Sequence, residues 1–235
     1  MNVALSEGQI LNIKIETSTR SKSIRLKANI YGIHVIAPVN YDFEIITGFV
    51  HSRKKWISKV YDYYAKFVDK FGQENSANGN SIYFLGSPYK LQLVSDKTSY
   101  NIISHNLKVI TFHVKDRRRY KEDIKAWYKS ETSNIIFERL PLISRKIGLA
   151  YKRVLIKSQK SRWASCSKNK NLNFNSFLAA LPSDLVDYVI IHELMHLIEL
   201  NHSKKFWELV KMQDPNYKHH RKILQRYGCL INNVL

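Results

Sequence analysis

The alternation of apolar and polar positions divides this chain into a strand-rich first half and a mainly helical second half. Leu11, Ile13 and Ile15 alternate with Asn12, Lys14 and Glu16, a period of two that predicts a strand with one covered face. Ile24 and Leu26 continue the pattern between charges, Gly32 marks a turn, and Ile33 and Val35 resume it, so the segment reads as antiparallel strands. Over 43–70 the spacing turns helical, carried by Ile46, Val50, Trp56, Ile57, Val60, Tyr64 and Phe67. The polar, Gly- and Asn-rich stretch 72–80 is the candidate linker or exposed loop. Short strands are expected around Tyr83, Lys90 to Val94 and Leu107 to His113.

Beyond residue 115 the period changes. A long helix is expected from about Arg117 to Ile147, with Ile124, Trp127 and Ile135 inward and Pro141 kinking or breaking it. Arg153 to Lys160 reads as a strand, the candidate edge for binding an extended substrate backbone beside the helix that follows. In that helix Pro182 marks the start, Ser183 can cap and Asp184 complements the dipole. Leu185, Val189, His192 and His196 fall on one stripe at i, i+4, i+7 and i+11. Asn201 suits a left-handed position after a helix end near Leu200, and Ser203 suits the cap of a further helix burying Phe206, Trp207 and Val210. The predicted fold class is α+β: a strand-rich region with one helix over 1–115, then a helical region over 116–235. No internal repeat stands out.

The chemistry-bearing residues lie on that stripe. His192-Glu-Leu-Met-His196 sets two imidazoles one turn apart on a helix, able to face one metal ion. Glu193 projects from an adjacent position, where a carboxylate can reach a metal-activated water and serve as general base without being a ligand. His202 offers a third nitrogen from the corner after the helix. Three protein ligands with a fourth position open describe catalytic zinc, whereas structural zinc closes all four. Two buried histidines without an ion are the plainer alternative, but two imidazoles and a carboxylate are costly to enclose without a partner. Glu199 is a rival third ligand. On an unbroken helix it stands about 10 Å along the axis from His192, at ~1.5 Å per residue, which favours His202. The spacing from His192 to His202 is that of metzincins, but Glu199 replaces their turn glycine.

Several strings together carry a resemblance: Arg162-Trp-Ala-Ser-Cys-Ser167, Leu172-Asn-Phe-Asn175, the HExxH stretch, Asn201-His-Ser203 and Phe206-Trp207. They resemble the YgjP-like family of zinc metallopeptidases, itself similar to the SprT-like and WLM proteases. Arg20 to Lys27, Val35 to Pro38 and His51 to Ile57 resemble its amino-terminal half, so the likeness spans nearly the whole chain. It implies a zincin-like metallopeptidase core in which His192, His196 and His202 hold zinc and Glu193 is the catalytic base. One departure is Ala164, where the family's loop has Gly. The cysteine-rich ribbon that SprT relatives often append has no counterpart among two cysteines.

Composition narrows the setting. An apolar fraction of 44% and an aromatic fraction of 12% belong to a folded protein of one or two domains. No signal-peptide pattern and no apolar run long enough to span a bilayer are read, and Cys166 and Cys229 give no disulfide framework, which together predict a cytoplasmic protein. Cys166 could be a ligand or nucleophile, with a buried thiol the plainer reading. The balance of 38 Lys+Arg against 19 Asp+Glu, a net +19, attracts polyanions such as nucleic acid or acidic protein segments. Its alternative is a solvated basic face. Tyr217, His219, His220 and Arg221 are candidates for stabilising an oxyanion. The expectation is therefore a zinc-dependent peptidase acting on peptide or protein. Its rivals are a metal-dependent hydrolase of nucleotides or phosphoesters, and a basic nucleic-acid-binding module with structural zinc.

Overall fold

The computed structural model describes residues 1–4, 10–29, 32–62, 81–159 and 162–228. Tyr64, Phe67 and the expected linker at 72–80 lie outside them. The chain divides into two compact units, Met1–Ser76 and Ala77–Leu235, and within the second a sheet packs against the long helix that follows it.

In the first unit β1 (Asn2–Ala4) and β2 (Ile10–Asn12) form an antiparallel pair. β3 (Lys14–Ser18), β4 (Arg25–Asn29) and β5 (Gly32–Pro38) form a sheet in the order β3-β5-β4. The β4–β5 pairing is antiparallel as expected, but β3 runs parallel to β5, with Lys14 opposite His34. The chain reverses twice, from β3 to β4 and from β4 to β5. A strand that skips its sequence neighbour therefore meets a partner running its own way. Helix α1 (Phe43–Ser52) and the helical stretch α2 (54–62) follow, and Ile46, Val50 and Ile57 join Val3, Ile13, Ile33, Val35 and Ala37 in one buried cluster.

The second unit repeats that arrangement twice, although the sequence shows no repeat. β6 (Ser81–Phe84), β7 (Ser87–Ser95), β8 (Tyr100–Ser104) and β9 (Val109–Val114) lie in the order β6-β7-β9-β8, with β7 parallel to β9 and β8 antiparallel to it. β10 (Arg153–Lys157), β11 (Ala164–Cys166) and β12 (Asn171–Asn175) lie in the order β10-β12-β11, again with the outer pairings parallel and antiparallel. A helix follows the last strand of each sheet. Mixed sheets in the first half and helices gathered in the second make this the α+β fold that the pattern predicts.

Helix α3 (Tyr120–Ile147) is the spine of this unit. Asp116 accepts from the Arg118 backbone N–H and holds Arg117–Arg119 in a single 3-10 turn, so the α-helix begins at Tyr120 rather than Arg117. That leaves Glu122 and Asp123, not three arginines, in its first turn, as the dipole favours. The helix runs unbroken through Pro141, because Ile136, Leu140 and Ser144 are buried on either side of it and tertiary packing outweighs one lost backbone bond. Ile136, rather than Ile135, takes the buried position. Tyr128 donates to the Tyr83 carbonyl, tying α3 to β6.

Two further contacts set the helix that carries the histidines, α4 (Ser183–Met195). The Thr132 hydroxyl of α3 donates to the Ser176 carbonyl at 2.6 Å and accepts from the Ala179 N–H at 3.0 Å, bracing the 3-10 segment that leads into α4. Arg139 grips Asp187 of α4 through two bonds, Nε to Oδ1 at 2.6 Å and Nη2 to Oδ2 at 2.7 Å. The β6–β7 turn closes on the same segment, with the N–H groups of Leu85 and Gly86 donating to the carbonyls of Ala179 and Ala180. Gly86 has φ +78°, and a Cβ there would lie 2.5 Å from Pro182. Only glycine lets the backbone approach this closely. Helices α5 (Lys204–Gln213) and α6 (Tyr217–Tyr227) pack on α4 and complete the unit.

Candidate metal centre

Pro182, not Ser183, occupies the cap position of α4, and no side-chain cap bond forms there. Helix α4 buries Leu185, Val186, Tyr188, Val189, Ile190, Leu194 and Met195 on most of its circumference, and Glu193 is desolvated with them. It ends at Met195, a turn earlier than expected. Leu197 and Ile198 close tight bonds to the carbonyls of Leu194 and Met195, and Asn201 does not take the left-handed conformation. The early stop releases the Glu199 carbonyl, which receives a hydrogen bond from His196 Nδ1 at 3.0 Å. A carbonyl only accepts, so Nδ1 carries the proton and the His196 Nε2 lone pair is free for an ion. Glu199 thus serves through its backbone, and its carboxylate is not in the group.

The turn carries His202 back onto the helix. Ser203 caps α5 as expected, its hydroxyl accepting from the Phe206 N–H at 3.3 Å. His202 Nε2 faces His192 Nε2 at 3.0 Å. One ligand atom each from His192, His196 and His202 all fall within 4.8 Å of one another. Nitrogens bound at ~2.0–2.1 Å to one tetrahedral ion lie about 3.3 Å apart, so the group has the right size for a single ion. Its donors fit too. Burial first, then the neighbouring charges of His196, His202 and Arg221, pushes His192 down to about 3, and burial lowers His202 as well. Neutral imidazoles with free lone pairs are what a metal takes.

Aromatic packing fixes the rings. Phe206, fully buried, stacks on His196 with centroids 4.4 Å apart, and meets His202 and His192 edgewise at 4.8 and 4.9 Å. Trp207 stacks on His202 at 5.5 Å and is half-buried rather than wholly inward. The apolar pattern places Phe206 inside, but its contact with all three imidazoles depends on the turn geometry that periodicity does not encode.

Glu193 is 5% exposed, and its Oε2 has no hydrogen-bond partner among the described groups. Burial raises its carboxyl to about 8, and the charge of Arg162 opposes that rise. Arg162 stands just before β11 and was not singled out chemically by the sequence, where a lone cation beside a short strand gives no signal. Its loop is held by the buried Asn175 amide, which donates to the carbonyls of Gln159 and Arg162 at 2.8 Å each. The strand beside α4 is β11, whereas the expected Arg153–Lys160 strand, β10, packs on α3. Cys166 of β11 is pushed up to about 11, by burial and then by the Glu193 charge, so it stays a protonated thiol outside the histidine group. Of the other candidates, His220 is committed to Asp214 at 2.7 Å and Tyr188 lies against its ring. Tyr217 stacks on Trp207, and Arg221 sits over the same ring at 4.6 Å.

The profile of the YgjP-like metallopeptidase domain matches residues 22–227, and this chain belongs to the YgjP-like family. That supports assignment as a metallopeptidase and places the histidine group within a domain of that kind. No curated protein matches the chain. Among the described residues no helix is long and apolar enough to cross a membrane.

Proposed function

We propose that this chain is a zinc-dependent peptidase in which His192, His196 and His202 hold the ion and Glu193 moves the proton. The observation that carries the reading is the three-histidine group with an unpartnered, buried carboxylate beside it. A bound zinc supplies Lewis acidity there, lowering the pKa of water toward neutrality and polarising a carbonyl. Glu193 Oε2 accepts a proton from the attacking water and returns it to the departing amine nitrogen. In the metal-free chain burial raises its proton affinity to about 8, and the charge of a bound ion would lower it again, so that the carboxylate is charged when it takes the proton. Arg162 steadies the carboxylate in its charged form. An extended substrate backbone adds to the outer edge of β11, the strand beside α4, in place of β10. A reducing cytoplasm is compatible with the free Cys166 thiol.

The rival phosphoester hydrolase has less support, because among the described residues no carboxylate-rich second metal group accompanies the histidines. The test separates binding from chemistry. Glu193→Gln is expected to retain about one zinc per chain, by elemental analysis after dialysis, while peptide cleavage falls by ~10²–10⁴-fold. Full cleavage by the zinc-loaded variant overturns the proposal, as does cleavage of nucleotides but of no peptide by the unaltered chain.

A further inference from the structure

A groove of about 460 Å³ opens between α5 and α6. Lys204, Lys218, Arg221 and Lys222 line it with Trp207 and Tyr217, and no carboxylate does. Lys218 and Lys222 stand one turn apart on the same face of α6. Lys204 faces Glu208 at 3.9 Å in an exposed pair, but Lys218, Arg221 and Lys222 form no ion pair among the described residues. This differs from the basic run Arg117–Arg119, where Arg118 pairs with Asp116 and Arg119 with Glu122. The groove also shares a wall with the histidine group, since Trp207 both lines it and stacks on His202. Like charges gathered around one concavity repel, and an anion placed among them relieves that repulsion.

We propose that this groove is a subsite for an acidic side chain, aspartate or glutamate, flanking the scissile bond of the substrate. The proposal rests on the peptidase reading above and names the substrate class that the reading leaves open. Extended peptide advances ~3.3 Å per residue, so a residue one or two along from a carbonyl at the histidines arrives at Trp207. A nucleic-acid strand fits less well. The Trp207 ring is already engaged by His202, Tyr217 and Arg221, which leaves little of it for a base to stack on.

The test uses the zinc-loaded full chain carrying Glu193→Gln and fluorescein-labelled peptides that differ only by Glu against Gln, read by anisotropy. The acidic peptide is expected to bind about tenfold more tightly, with the advantage shrinking as salt rises. Adding Lys218→Gln and Lys222→Gln should remove most of that preference without moving the melting temperature. Lys222→Glu alone, a single surface change, should lower it further than Lys222→Gln. Equal binding of the two peptides, or a preference that survives the double change, overturns the proposal. So does a double change that weakens a single-stranded oligonucleotide but not the acidic peptide. Cleavage by the unaltered chain separates the two readings. Equal cleavage of both peptides sinks the groove and keeps the peptidase, whereas acidic preference in binding with no cleavage keeps the anion site and sinks the peptidase.

Discussion

The sheet β3-β5-β4 with α1 and the sheet β10-β12-β11 with α4 share strand order, strand directions and a helix after the last strand. Among the described residues only the second carries a group of side chains able to hold a metal ion. Helix α1 buries Ile46 and Val50 along one face and leaves Phe43 and Ile45 exposed. Helix α4 is covered on several faces, by α3, β11, α5 and α6. A helix with one covered face keeps its polar groups in water, so a carboxylate there would titrate near its ordinary value. Enclosure on several sides is what raises Glu193 and lowers His192. The topology supplies a platform, and the difference in burial decides whether it can hold a perturbed acid–base group.

The contrast breaks most sharply at the third histidine. His202→Ala is expected to strip the chain of zinc under dialysis, because two imidazoles on one helix leave too few ligands to retain the ion. Glu199→Ala should keep its zinc, since the bond to His196 uses the backbone carbonyl that alanine still provides. The reverse result would move the ligand assignment to the Glu199 carboxylate.

Stability against pH in the metal-free chain comes next. His192 titrates at about 3 when folded against an ordinary 6.5, so its contribution is complete above 6.5 and is lost as pH falls toward 3. Glu193 runs the other way, at about 8 against 4.5, so its contribution is complete below 4.5 and is lost as pH rises to 8. The two slopes oppose each other between 4.5 and 6.5, where His202, also lowered, adds a smaller share on the side of His192. Melting temperature should therefore hold level or rise slightly there and fall between pH 6.5 and 8. Glu193→Gln should abolish that alkaline fall. A fall that persists in the variant assigns it to another group.

Much of this difference was legible in the residues. Period-two alternation located β3, β4 and β5, and the spacing of His192, Glu193 and His196 put two of the three grouped histidines and the buried carboxylate on one helix. What the sequence did not carry were choices made by tertiary contacts. The parallel pairing of β3 with β5 depends on which strand the chain skips. The stop at Met195 comes from tight bonds at Leu197 and Ile198, and the His196 ring then takes the Glu199 carbonyl, a pairing no propensity records. The start at Tyr120 turns on one Asp116 side chain, and β8 alternates too weakly to be seen.

Packing beneath the two helices offers a smaller contrast. Phe206→Ala is expected to cost ~3–5 kcal/mol and to weaken zinc retention, because the ring spaces all three imidazoles. Ile46→Ala beneath α1 should cost ~2–5 kcal/mol and leave zinc content unchanged. Thermal melts with metal analysis check both. Zinc loss in the Ile46 variant would mean that the platforms are coupled.

The smallest effect separates two caps. Ser203 begins α5 with a hydroxyl bond to the Phe206 N–H, whereas Asp42 begins α1 with no side-chain cap bond. Ser203→Ala is therefore expected to cost about 1 kcal/mol, the usual loss of a cap bond. Asp42→Ala should cost only the attraction of its charge to the helix dipole, ~0.3–1 kcal/mol, and that part should vanish at high salt. The Ser203 change has a second consequence that Asp42 cannot share. The cap bond holds the residue that follows His202, so its loss loosens the ring facing His192. Zinc affinity should then fall by about tenfold, the low end for a group one bond removed from a ligand. Melting in low and high salt, with competition against a chelator, measures both parts. If Ser203→Ala changes stability but leaves zinc affinity untouched, the His202 position is set by the Phe206 and Trp207 rings and not by the cap.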